Sequence, residues 1–282
     1  MRCAENYGQT LRDTSQALAI NPRSEKAFFR AAKALLETDK TTEALDCCDH
    51  GLEINPENKQ MIAIRKEVME KKTYAEKILA ERAERERRKK ETALALHKAF
   101  LARGLWIENS AKPPDNPAKA HFDLESLSDE SKPTIPLTGA QASKWRAPNP
   151  IRTQIIFPVF LLYPQYAQSD LIPEYPEDTP VGLYLDEMFP PSTRLPWDVN
   201  GEYTSAGLHV YATTHKKRLL RVGRKTSLRE LLDQGAKDVD KGEKRDGVLL
   251  QDGLISLVVL PKGSDAEKEW IAKFKKDRDT QA

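Results

Sequence analysis

The sequence predicts two dissimilar parts: a partial helical-repeat solenoid running on into a long charged helix, then a small α+β domain with a mostly antiparallel sheet. Three observations carry this. Ala17-Leu18-Ala19-Ile20-Asn21-Pro22 and Gly51-Leu52-Glu53-Ile54-Asn55-Pro56 are near copies thirty-four residues apart, and Leu11 and Leu45 keep the same offset. Beyond Lys71 the chain sets Glu against Arg and Lys at helical spacings with few apolar residues, the pattern of a solvated single helix. From Ile151 onward, short apolar or alternating runs bounded by turn residues read as strands, with brief helical patterns between them.

A 34-residue period ending in a small residue, an apolar pair and Asn-Pro marks a tetratricopeptide repeat, a helix–turn–helix unit that stacks into a grooved solenoid. One whole repeat occupies residues 25–58. In its first helix, Glu25–Glu37, the residues Phe28, Ala31, Ala32, Leu35 and Leu36 recur at three- and four-residue spacings as an apolar stripe. Asp39-Lys40-Thr41 turns the chain into a second helix over 42–53, with Ala44, Leu45, Cys48 and Leu52 inward and Asn55-Pro56 as its stop. Small residues at Ala32, Ala44 and Gly51 permit close helix approach. From Lys59 the pattern stays helical for about 45 residues. Met61, Ile62, Ile64, Val68 and Met69 suit a helix covering the open end of the solenoid, and Leu94, Leu96, Phe100 and Leu101 suit docking of the far end.

The predicted organisation is therefore residues 1–70 as repeats and capping helix, 71–106 as the charged helix, 107–150 as a Pro-rich linker and 151–282 as the second domain. The linker has no periodicity, and Phe122, Leu124, Leu127 and Trp145 are candidate anchors within it. In the second domain, 154–163 reads as a buried strand and 179–189 as a helix capped by Thr179, with Pro180 in its first turn. Leu208–Thr213 and 218–222 read as a hairpin about Thr214-His215-Lys216-Lys217. Ser227 caps a short helix over 228–234 that Gly235 stops. Strands at 248–250 and 254–260 meet at Gln251-Asp252-Gly253. A charged helix over 265–278 presents Trp270, Ile271 and Phe274. Runs of strands broken by short helices imply an α+β layer.

Composition narrows the function. Hydrophobic residues are 39% and charged residues 31% of the chain, polar for a globular protein. The balance of 45 Lys and Arg against 43 Asp and Glu argues against nucleic acid as the main partner. Three cysteines, two of them adjacent, suit a reducing compartment rather than a disulfide framework. The first residues lack the apolar core of a signal peptide, and the apolar run 155–163 is too short to span a bilayer. A cytoplasmic protein, also nuclear in one reading, is expected. No phosphate-binding loop, paired zinc ligands or nucleophile elbow appears, so no enzyme activity, metal or cofactor is expected.

Lys26, Arg30 and Lys33 place three cations on one helix face at i, i+4 and i+7. Spacing alone fits a solvated face as well as a carboxylate-binding groove. Cys47-Cys48 fits core packing better than a metal site. The run 82–90 can meet phosphates of RNA or a ribosome, but interspersed Glu81, Glu84, Glu86 and Glu91 favour a solvated helix. His209 and His215 lack a nearby nucleophile. Trp197, Tyr203, Tyr163 and Tyr211 fit either a pocket or a small aromatic core.

Lys26-Ala27-Phe28-Phe29-Arg30 resembles the Lys-Ala-x-x-Arg element of carboxylate-clamp tetratricopeptide domains, which hold the acidic C-termini of heat-shock proteins 90 and 70. Asn6-Tyr7-Gly8 through Pro22, Glu43-Ala44-Leu45-Asp46-Cys47-Cys48-Asp49 and Asn55-Pro56-Glu57-Asn58 resemble the tetratricopeptide repeat protein 4 and Cns-type co-chaperone family. Phe157-Pro158-Val159-Phe160-Leu161-Leu162-Tyr163-Pro164, Gln168-Ser169-Asp170, Pro196-Trp197-Asp198 and Gly201-Glu202-Tyr203 resemble its C-terminal wheel domain. The resemblance covers nearly the whole chain. It implies a non-enzymatic co-chaperone whose clamp docks a chaperone tail while the wheel domain contacts a client or second partner. Lys26 and Arg30 carry over as clamp residues, with Lys33 and Phe29 as neighbours in the groove. The departure is at Met1-Arg2-Cys3-Ala4, which stands where the family has Asn-Arg-Ala-Ala with a clamp Asn. The resemblance thus implies an N-terminally shortened chain with an incomplete clamp.

Overall fold

The computed structural model describes residues 6–112, 118–191, 194–236 and 245–281. Met1-Arg2-Cys3-Ala4 and the linker prolines Pro113, Pro114 and Pro117 lie outside them. The chain divides into two compact units, Met1–Arg87 with Leu137–Ala140, and Arg88–Pro136 with Gln141–Ala282.

The first unit opens with α1 (Tyr7–Ile20) and α2 (Glu25–Glu37), capped by the side chains of Asn6 and Ser24, which accept the N–H groups of Gln9 and Ala27. α2 ends in a Schellman motif. Lys40 N–H reaches the Leu35 carbonyl (2.9 Å) and Asp39 N–H the Leu36 carbonyl (3.3 Å), with Asp39 at φ 60°. α3 (Thr41–Ile54) packs on α2 through Ala32, Ala44 and Cys48, all fully buried. Burial raises the Cys48 thiol to about 11, so it is a core residue and not a reactive thiolate.

α4 (Lys59–Ala102) is one helix of 44 residues, close to the length its pattern predicts. Met61, Ile64 and Val68 close the repeat core, whereas Ile62 and Met69 stay 47% and 39% exposed, so only three of five expected side chains cover it. Gly51 lets α3 and α4 meet, since a Cβ there would fall 2.3 Å from Met61 Cε. The Asn-Pro motif has a mechanical role as well. Asn55 and Asn58 both donate to Glu25 Oε2, at 3.1 and 3.0 Å, tying the α3–α4 turn to the start of α2.

The second unit is built on an eight-stranded mixed sheet. Its strands are β1 (Trp106–Glu108), β2 (His121–Phe122), β3 (Ile155–Tyr163), β4 (Gln168–Pro176), β5 (Leu208–Thr213), β6 (Leu219–Val222), β7 (Leu249–Gln251) and β8 (Leu254–Pro261). Most pairings are antiparallel, but β3 runs parallel to the central β8, and β1 parallel to β7. Pro158 sits inside β3 without an N–H to give, and the β3–β4 register shifts there, between Phe157 and Val159. The β7–β8 turn has Asp252 and Gly253 at φ 52° and 81°, the signature of a type I′ hairpin.

Alternation along the strands makes two layers. Phe157, Val159 and Leu161 of β3, Leu257 and Val259 of β8, and Val210 of β5 face one core. There they meet Ala95 and Ala99 of α4, Leu185 of α5 (Val181–Met188), and Leu228, Leu231 and Leu232 of α6 (Leu228–Gly235). Tyr211, Val258 and Leu260 face the other side, under Trp270 and Ile271 of α7 (Asp265–Gln281).

Two expectations need correction. The stretch 107–150 is not a structureless linker: it supplies β1 and β2, and buries Phe122 and Trp145, while Leu124 is exposed. Strands of two or three residues carry no readable alternation, so only their partners reveal them. Secondly, Thr179 does not cap α5. The loop before α6 does so instead, because Val181 and Gly182 N–H donate to the carbonyls of Thr226 and Arg224, at 3.1 and 2.8 Å.

Candidate peptide-binding groove

α1 and α2 enclose a groove of about 450 Å³, lined by Thr10, Asp13, Thr14 and Ala17 on one wall and by Ser24, Lys26, Ala27 and Arg30 on the other. Lys26 and Arg30, one turn apart, expose their heads to it, since Ala27 and Ala31 take the buried positions of α2. Neither cation has an ion-pair partner among the described residues. Lys26 also lies in the first turn of α2, where the helix dipole favours an anion. Together these groups can hold a carboxylate, Arg30 through two parallel hydrogen bonds and Lys26 as a point charge.

The other two candidate residues lie elsewhere. Lys33 is exposed on the same face, one turn past the residues that line the groove. Phe29 is half-buried and packs against the repeat core with Phe28 and Leu11. The α1 wall was not foreseen from sequence. Thr14 is buried and spends its hydroxyl on the Thr10 and Leu11 carbonyls, and Asp13 accepts from Gln9 Nε2 at 2.8 Å. Asp13 is a carboxylate in a groove that suits carboxylates, so it selects against an anion held too close to α1. Asp13 faces the same groove as Lys26 only because α1 and α2 pack side by side, which no local pattern shows.

Within the charged run of α4, which is otherwise exposed or half-buried, one cation is buried. Arg88 is 8% exposed, donates to the carbonyls of Ile135 (2.8 Å) and Pro136 (2.6 Å), and lies 5.2 Å from the Trp145 ring centroid. A guanidinium committed to two carbonyls and an indole is withdrawn from any phosphate.

In the second unit an aromatic group fills the core. Tyr163 stacks on Trp197 at 5.0 Å and meets Tyr203 edge-on at 5.7 Å, while Trp197 meets Tyr203 at 4.9 Å. Buried Asp198 builds this cluster by accepting the N–H groups of Glu202 (3.0 Å) and Tyr203 (2.9 Å), with Gly201 at φ +69° in the turn. The Pro-Trp-Asp and Gly-Glu-Tyr segments are thus two ends of one hydrogen-bonded loop. Tyr211 is not part of the cluster. It lies on the opposite sheet face against Trp270, so the four aromatics do not share a pocket.

Residues 147–274, which contain this loop and strands β3 to β8, match the model of the Cns1/TTC4 Wheel domain. The chain carries a Wheel domain. Over a longer stretch it is similar to the Hsp70/Hsp90 co-chaperone cns1 of Schizosaccharomyces pombe, at 29% identity across 99% of this chain and 67% of that protein. It is also similar to tetratricopeptide repeat protein 4 of Mus musculus, at 30% identity across 73% of this chain and 51% of that protein. The chain therefore spans about half to two thirds of the length of these relatives. The solved structure of the Hsp90 co-chaperone Cns1 from Saccharomyces cerevisiae (delta69) shares the fold with a TM-score of 0.68 at 22% identity, over 95% of this chain and 77% of that one. The Wheel domain holds both histidines in satisfied positions. His209 Nδ1 lies 2.6 Å from Glu267, and His215 lies 2.9 Å from Glu108 and stacks on Trp106 at 3.7 Å.

Proposed function

We propose that the chain is a non-enzymatic co-chaperone adaptor. In this reading the α1–α2 groove takes the acidic C-terminal segments of heat-shock proteins 90 and 70, and the Wheel domain contacts a client or second partner. Lys26 and Arg30 supply the carboxylate contacts, with Lys33 next along the face. The names of the relatives support the chaperone partners, and the single observation that carries the binding role is the pair of unpartnered cations along one groove.

The test is fluorescence anisotropy with labelled chaperone C-terminal peptides, comparing the unmodified chain with Lys26→Ala/Arg30→Ala. Charge-assisted hydrogen bonds contribute roughly 1.5–3 kcal/mol each, so losing both cations weakens binding by at least about tenfold. Equal affinity of the two proteins sinks the assignment.

A further inference from the structure

The sheet of the Wheel domain treats its outer edges differently. β4 is long, but Pro173 and Pro176 interrupt its donors, and Asp170 and Glu174 add charge, the usual ways of blunting an edge. β6 has no proline and no acid, and its one charged residue is Arg221. It pairs with β5 alone, through Val210↔Val222 to Thr213↔Leu219. Thr214 N–H donates to the Arg218 carbonyl at the hairpin end. Alternation of an antiparallel ladder then turns the N–H and C=O of Leu219 and Arg221 outward. No described backbone group meets them.

Beside this edge, between β6 and α7, lies a cleft of about 540 Å³. Leu219, Ile271 and Phe274 give it apolar walls, and Arg218, Lys275 and Arg278 are its charged lining residues; no carboxylate lines it. Arg218 is fixed in place by Asp246 (2.6 Å) and the Gly235 carbonyl (2.6 Å). Arg278 pairs with its exposed neighbour Asp279 at 2.9 Å. Arg221 and Lys275 have no ion-pair partner among the described residues.

We propose that the outer edge of β6 is a strand-addition site for an extended acidic peptide segment. The segment's backbone would complete the ladder at Leu219 and Arg221, which accommodates three to four residues at about 3.3 Å each. Side chains on the α7 side would meet Phe274 and the cations of Arg221 and Lys275. In a segment that alternates acidic and apolar residues, the acids share this face and meet the cations with their stems on Phe274, while the apolar side chains fall on the opposite sheet face beside Leu220 and Val222. The site is independent of the α1–α2 groove, because it reads backbone and side chains and needs no terminal carboxylate.

The test uses the full chain and a fluorescein-labelled seven-residue peptide alternating Glu and Val, acetylated at one end and amidated at the other. Binding is read by anisotropy and by amide exchange. Expected are slowed exchange at Leu219 and Arg221, and affinity reduced at least about tenfold by N-methylating alternate peptide residues, which removes two ladder bonds. Arg221→Glu/Lys275→Glu, two surface changes that spare the core, should cause a similar loss, and Lys26→Ala/Arg30→Ala none. The proposal is overturned if the peptide does not bind, if a Lys–Val peptide or the N-methylated one binds as well, or if binding tracks Lys26 and Arg30 instead.

Discussion

Arg103 and Glu177 form a buried ion pair in the Wheel-bearing unit, 4% and 0% exposed. Arg103 donates twice to the Glu177 carboxylate and also to the carbonyls of Pro150 (2.7 Å) and Thr153 (2.9 Å), while Glu177 accepts from Ile155 N–H and from Arg229. Every polar atom of the pair is thereby used, the condition under which a buried charge pair is tolerated. Removing Arg103 leaves buried Glu177 with only the half-buried Arg229 as counter-charge, so Arg103→Met is expected to destabilise the unit by roughly 3–5 kcal/mol, whereas Arg103→Met/Glu177→Met should cost less than the single change. Urea denaturation monitored by far-UV dichroism checks this, and an Arg103→Met protein of unaltered stability would contradict it. The contrast with Lys26 and Arg30 explains what a sequence displays at this scale. Their four-residue spacing puts them on one helix face by local geometry, but nothing local announces that Arg103 will meet a carboxylate 74 positions away.

At the scale of the element, α7 is held to the sheet by an apolar stripe and by one buried acid. Glu267 accepts from Tyr211 Oη (2.6 Å) and Gly263 N–H (2.6 Å) and pairs with His209, while its own N–H is capped by Ser264. Burial alone would raise its pKa, but these hydrogen bonds outweigh the desolvation and lower it. A glutamate whose folded pKa is lowered contributes its stabilisation above its ordinary unfolded value, and loses it as pH falls through the folded value. Acidification below pH 4.5 is therefore expected to loosen α7. Asp246, also lowered by bonds from Lys216 N–H and Arg218 despite its burial, weakens the base of the β5–β6 hairpin over the same direction of pH. Glu267→Gln should lose about 2 kcal/mol at neutral pH and flatten the acid dependence. Amide exchange along α7 as a function of pH reads both, and a Glu267→Gln protein with an unchanged acid transition would refute the role. The helix itself was legible, because Trp270, Ile271 and Phe274 recur at helical spacing. Its anchor was not, since a Glu in a run of charges looks solvated until a tyrosine from another strand reaches it. The same limit hid β1 and β2, which exist through pairing with β7 and β3 rather than through any pattern of their own.

For the molecule as a whole, the informative fact is that one helix feeds two separate cores. Met61, Ile64 and Val68 of α4 belong to the repeat core with Ala32, Ala44 and Cys48, whereas Ala95 and Ala99 belong to the sheet core with Phe157 and Leu257. The cores share no residue among those described. The 34-residue period announced the first core, because a repeat buries its face against a neighbour and α4 is the next helix in the chain. The second core depends on β3 and β8 lying side by side although about a hundred residues separate them, a pairing that periodicity cannot supply. Separate cores imply separable stabilities. Met61 is fully buried against Gly51, so Met61→Ala should cost about 2–5 kcal/mol through lost burial and the cavity left behind. That cost is expected to fall on the amides of α2 and α3, with β3 and β8 retaining their protection. Hydrogen exchange measured by mass spectrometry distinguishes the outcomes: equal loss of protection in β3 and β8 would mean that the two cores unfold as one.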